Sequence, residues 1–230
     1  FVKAAAAVSA GMGGLYTLMG REALGESVTQ ESPNVGFGPL KKDPAGLMEL
    51  PEGFSYKIIA EAGTKMSDGL LVPGRPDGMA AFPGPNGKTI VVCNHELSAD
   101  QVEMSGFGKK NELIGALAKE LIYDFGKGEM PCIGGTTTIV FDTKTQEVDR
   151  QFLSLVGTIR NCAGGPTPWN SWISCEETRI KAGDTYEVDH GYNFEVPALP
   201  TGRPVEPHPL KDMGRFSHEA VAVEPNTGIV

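Results

Sequence analysis

Apolar and polar positions alternate with a two-residue period over short stretches, and turn residues close most of them. LPEGFSYKIIAEAG (50 to 63) alternates and ends at glycine, which predicts a strand. In FPGPNGKTIVVCNHEL (82 to 97) a Pro-Asn-Gly turn feeds an apolar run from Thr89 to Cys93, with Asn94, His95 and Glu96 at the strand's end. TTTIVFDTKTQEVDRQFLSL (136 to 155) reads as a hairpin: an apolar strand, an Asp142-Thr143-Lys144-Thr145 turn and an alternating return strand. WNSWISCEE (169 to 177) and FSHEAVAVEPNTGIV (216 to 230) each join a β-run to acidic residues. One segment departs from the pattern. NELIGALAKELIYDFG (111 to 126) places Leu113, Ile114, Leu117, Leu121 and Ile122 on one helical face, with Asn111 as N-cap and Gly126 as stop, and predicts a helix inserted between strands.

Short strands with frequent turns point to an all-β chain, either a sandwich, a barrel or a propeller. Glycine (30) and proline (17) in 230 residues agree with many turns. No strict long repeat is visible, but strands that repeatedly end in ligand-type residues lean towards a propeller, where such ends converge. The net charge of −9 excludes a nucleic-acid partner that needs a basic face and suits a binder of hard cations.

The uncharged stretch from Ala4 to Gly20 is too short and too glycine-rich for a stable membrane span and reads as an export-signal-like segment over 1–20. Phe1-Val2-Lys3 resembles the tail of a twin-arginine signature. A linker over 21–45 follows, and 46–230 is expected to form the propeller part. The Pro225-Asn226-Thr227-Gly228 turn starts a second apolar strand at Ile229-Val230, so a longer chain is expected.

Four cysteines, Cys93, Cys132, Cys162 and Cys175, allow two disulfides in three pairings, buried free thiols, or a metal ligand among them. A structural zinc site is disfavoured because no CxxC is present. Glu176 and Glu177 are adjacent in a strand and must face opposite ways, so only one of them can join any one site. Glu177 shares its face with Cys175 and Ile173. His95-Glu96 and His218-Glu219 stand at strand boundaries, and Asp77-Gly78 reads as a turn. There is no GxSxG elbow, Walker loop, dinucleotide fingerprint or HExxH. Cys162 with His95 or His218 could in principle form a nucleophile and base, but nothing in the sequence orients them.

LPEGFSYKII, PDGMAAFPGPNG leading to CNHE, GGTTTIVFD, RNCAGGPTPWNSWISCEE, HGYNFEVP and GRFSHEAVAV occur in this order. Together, from about residue 45 to the end, they resemble the PhoX-type alkaline phosphatases. That resemblance implies a six-bladed β-propeller, of which this chain is about the N-terminal half, exported by the twin-arginine machinery to the periplasm or exterior. It implies two ferric ions and three calcium ions with a bridging oxo group that acts as nucleophile on phosphate monoesters. On the matching positions, Cys162 is the thiolate ligand to iron, and Glu177 and Glu219 are carboxylate ligands. Glu176, Asn94 and Glu96 lie in matching motifs. A phosphate-gripping arginine is expected beyond Val230. Gly164-Gly165 would let the backbone pass close to the cluster, and Trp169 and Trp172 would wall it from water or simply pack the blades. Two alternatives are a catalytically silent relative that uses its ions structurally and a calcium-dependent lactonase-like propeller.

Overall fold

A computed structural model of the chain describes residues 37–230. The export-signal-like segment and most of the expected linker lie outside the described residues. The chain divides into two compact units, one ending at Lys57 and one spanning Ile58–Val230.

In the first unit, β1 (Leu40–Lys41) pairs antiparallel with β2 (Leu50–Pro51). The Asp43 carboxylate accepts the N–H groups of Ala45, Leu47 and Met48 and the Tyr56 hydroxyl, which folds the intervening loop. The strand predicted for 50 to 63 shrinks to Leu50–Pro51. A turn closed by Phe54 N–H on the Pro51 carbonyl, with Gly53 at φ +83°, breaks the extended run immediately after it.

The second unit carries two antiparallel sheets. β3 (Pro76–Pro83), β4 (Lys88–His95), β5 (Gly134–Asp142) and β6 (Glu147–Thr158) pair in chain order as a four-stranded meander. β7 (Asn161–Pro166), β8 (Ser171–Glu176) and β9 (Asn193–Pro197) form a three-stranded one. Strand alternation fixes the core. Phe82, Ile90 and Val140 sit in register across three strands, and Val92, Thr138 and Phe152 form the adjacent row. Phe82, Ile90, Val92, Val140 and Phe152 pack with Trp172, Phe194 and Val196 of the second sheet in one buried cluster. On the opposite face, Leu153 and Val156 pack with Met66, Leu70, Val72, Leu97, Phe107, Ile122 and Ile133.

The predicted helix over 111–126 does not form, and no α-helix occurs among the described residues. The segment folds as separate 3₁₀ turns, Ile114–Ala116 and Lys119–Leu121, with another at Gly126–Gly128. Asn111 sits at φ +54°, outside the helical region, and Ala118 is extended. Tertiary pairing decides the outcome: Tyr123 and Asp124 donate their N–H groups to the carbonyls of Val156 and Gly157. Those donors are then unavailable to a helix, while Leu113, Ile114 and Leu117 still reach the second core cluster from irregular backbone.

The β-run predicted within 216 to 230 does not form a strand either. Phe216, His218 and Val221 donate N–H groups to the carbonyls of Gly191, Glu176 and Gly164, contacts too irregular for a ladder. The architecture is therefore all-β, with open sheets of two, four and three strands and no inserted helix. No helix among the described residues is long and apolar enough to cross a membrane.

Candidate metal centre

Two β-bulges position the site. In β7, Cys162 and Ala163 together oppose Cys175 of β8, because Asn161 pairs with Glu176 and Gly164 with Ser174. In β3, Asp77 and Gly78 oppose Asn94 of β4, because Pro76 pairs with His95 and Met79 with Cys93. Asp77-Gly78, read from sequence as a turn, is thus an in-strand bulge. An extra residue on one strand breaks the alternation and re-aims the side chain that follows. The two bulges meet: a Cβ on Gly78 would lie 2.7 Å from the Ala163 Cα, so only glycine permits this approach. Asn94 fastens them, its amide donating to the Ala163 carbonyl at 2.8 Å while its oxygen accepts Trp172 Nε1–H and Ser174 Oγ–H, each at 2.9 Å.

The bulge delivers the Cys162 thiol to the segment carrying Glu219. Its Sγ lies 3.4 Å from the carbonyl oxygens of both His218 and Glu219. The ligand atoms of Cys162, Glu177 and Glu219 all fall within 4.8 Å of one another, with the thiol buried, Glu177 half-buried and Glu219 exposed. A soft donor at the floor and two hard donors towards solvent can hold a thiophilic ion deep and a hard cation outside it. Burial pushes the Cys162 thiol up to about 11, and the charges of Glu219 and Glu177 push the same way. An entering cation must therefore displace a proton.

Glu96 stands beside this trio without joining it. Its carboxylate takes Arg75 at 2.6 Å and Arg160 at 3.2 Å, and Arg160 Nη2 also reaches Glu177 at 2.5 Å. Arg160 sits at φ +50° between β6 and β7, two residues before Cys162, so a strained residue carries the cation at the rim. Asn94 is fully buried, with all its bonds spent on joining the sheets. Glu176 turns to the opposite face of β8 from Glu177, as alternation requires, and binds His190 at 2.7 Å. The structure thus unites Cys162, Glu177 and Glu219 and sends Glu176, Asn94 and Glu96 to other partners.

All four cysteines are free and buried, which removes the disulfide alternative. Neither candidate histidine meets the Cys162 thiol as a base. The His95 ring lies between the Gly74 carbonyl and Thr137 Oγ1, and His218 Nε2 faces the Gly214 carbonyl. Trp172 packs in the core, whereas Trp169 is exposed and hydrogen-bonds Glu195 at 2.6 Å. Gly164 serves strand packing, because a Cβ there would overlap the Ile173 carbonyl.

Sequence reasoning missed Arg160, His190 and Asp124. Arg160 and His190 lie inside the RNCAGG and HGYNFEVP blocks, and Asp124 was hidden in the segment read as helix.

The fold is all-β, and Cys162, Glu177 and Glu219 form a thiol-carboxylate group that could hold a metal ion. The chain belongs to the alkaline phosphatase PhoX family, whose model matches residues 35–140 and 133–230. No curated protein and no solved structure matches it.

Proposed function

We propose that the protein hydrolyses phosphate monoesters at an iron-calcium cluster for which Cys162, Glu177 and Glu219 supply one wall. The carrying observation is the convergence of one buried thiol and two carboxylates within 4.8 Å in a chain of the PhoX family. The donor set fits the group: thiolate favours iron, carboxylate oxygens favour calcium, and a carboxylate can bridge the two. When bound, such ions act as Lewis acids that draw charge from a phosphoryl group. Cys162 would give up its proton on loading and hold a thiophilic ion, Glu177 and Glu219 would hold hard cations, and Arg160 supports Glu177 from the side. One thiolate and two carboxylates cannot satisfy two ferric and three calcium ions, so the complete cluster requires ligands from outside these residues.

The meander β3 to β6 and the facing three-stranded sheet support reading the fold as blades of a six-bladed propeller, since each is an antiparallel up-and-down sheet packed through one face on the next. Export by the twin-arginine route to the periplasm or exterior belongs to the same reading. Metal analysis and a phosphomonoester assay on the full-length protein test it. Iron and calcium with chelator-sensitive turnover, lost in Cys162→Ser, are expected. Turnover that survives Cys162→Ser in an iron-free protein would point to the calcium-only alternative, and metal without turnover to the silent one.

A further inference from the structure

Behind the candidate metal centre lies a second cluster that the proposed chemistry does not use. Asp124, Glu176 and His190 are completely buried. Glu176 Oε1 accepts Ile159 N–H at 3.0 Å and His190 Nδ1–H at 2.7 Å, and Oε2 accepts the N–H groups of Gly191 and Tyr192 at 2.7 and 3.2 Å. His190 Nε2–H donates to Asp124 Oδ2 at 3.0 Å. The Asp124 carboxylate also takes the N–H groups of Gly126, Glu187 and Val188. A carboxylate on each ring nitrogen requires both nitrogens to donate, so the ring is an imidazolium clamped between two anions. Burial alone would lower its pKa, but the hydrogen bonds to Asp124, Cys132 and Glu176 raise it to about 12.

Each segment that carries a candidate ligand is tied to Glu176. Its carboxylate holds Ile159, one residue before Arg160 and three before Cys162. Its own carbonyl accepts His218 N–H at 3.0 Å, fixing the segment that ends in Glu219. Its chain neighbour is Glu177, whose N–H is bound by the Arg160 carbonyl at 3.0 Å. One residue thus ties together the three segments that supply the thiolate and both carboxylates, and none of its side-chain atoms joins them in the site.

We propose that Glu176, braced by His190 and Asp124, is the positioning residue of the metal centre, setting the mutual placement of Cys162, Glu177 and Glu219 without binding the ion. The proposal rests on the reading of those three residues as metal ligands. A competing use of the cluster is a metal ion of its own, because the ligand atoms of Asp124, Cys132 and His190 also lie within 4.8 Å of one another. The hydrogen bonding favours the clamp: Asp124 Oδ2 already receives two backbone N–H groups and stands at hydrogen-bond length from Nε2, while the Cys132 sulfur stays 3.8 Å from that nitrogen.

The test is a Co²⁺ titration of the metal-stripped full-length protein, followed through the thiolate-to-cobalt absorption band that Cys162→Ser abolishes. Glu176→Gln is expected to weaken Co²⁺ binding by about tenfold or more and to shift or diminish the band per bound ion, although all three ligands remain. Asp124→Asn, farther from the centre and isosteric, should move both readouts in the same direction and serves where Glu176→Gln fails to fold. Phe152→Leu, a core substitution on β6 that contributes no bond to the Glu176–His190–Asp124 network, should lower the melting temperature and leave band and affinity unchanged. An unchanged band and affinity in Asp124→Asn and Glu176→Gln overturns the proposal. So does a stoichiometric metal ion that is lost on Cys132→Ser with Cys162 intact. A wild-type protein with no Cys162-dependent band overturns instead the metal-centre reading on which the proposal stands.

Discussion

On the proposed reading of the site, proton and metal compete for Cys162, and the competition sets a measurable pH slope. Burial and the two neighbouring carboxylates hold the thiol at about 11, against an ordinary value of about 8.5. At pH 7 roughly one molecule in 10⁴ then carries the thiolate, and each ion that binds there releases one proton. Apparent affinity for a thiophilic ion should therefore rise about tenfold per pH unit, or about a hundredfold between pH 6.5 and 8.5. Calorimetric Co²⁺ titrations in buffers of different ionisation enthalpy count the released proton directly, and the thiolate band gives the affinity at each pH. Cys162→Ser should bind more weakly and lose one proton from that count. The raised pKa also has a consequence for the metal-free fold. Its stabilising contribution is complete below about pH 8.5 and is lost as pH rises towards about 11. A flat affinity profile in the wild type, or an equal slope in Cys162→Ser, would refute this account of the site.

Acid should destabilise the fold through His95. Burial lowers the pKa of its imidazole to about 4 against some opposition from the Gly74 and Pro73 carbonyls, so the unfolded chain takes the proton first. Stability is present above pH about 6.5 and falls by about 3 kcal/mol as pH drops to about 4, at up to about 1.4 kcal/mol per unit with the slope easing as the folded-state pKa is reached. Urea unfolding of wild type against His95→Gln measures it, and the variant should lose that part of the slope. Asn94→Ala leaves the half-buried Ala163 carbonyl and the buried Trp172 Nε1–H and Ser174 Oγ–H without their partner. It should cost about 3 kcal/mol or more in the same assay and loosen the bulge that aims Cys162. Gly164→Ala drives a methyl group into the Ile173 carbonyl, so β7 and β8 must part. A soluble yield and melting temperature equal to wild type would contradict that packing.

What the sequence made legible follows the range of the interactions involved. Strands β4 to β6, the Pro-Asn-Gly and Asp142 turns and the opposed facing of Glu176 and Glu177 all follow from a two-residue period, a local property. The 111–126 segment misled because its apolar spacing serves a helix and an irregular cap equally well. The donors of Tyr123 and Asp124 chose the carbonyls of Val156 and Gly157 in β6, each 33 residues away in the chain. Cys162 could be singled out only through its resemblance to a family motif, since neither its bulge nor the approach of Gly78 leaves a local signature. The clamp is the clearest case. Glu176 stands among the candidate ligands because it lies in a motif that matches the family's, yet its adjacency to Glu177 puts it on the other face. There a single histidine from the HGYNFEVP block binds it, and an aspartate from the misread segment holds the other nitrogen of that ring. On the proposed reading, a carboxylate that alternation turns away from the metal site is free to hold the segments that carry the ligands, and the two neighbouring glutamates divide binding from positioning.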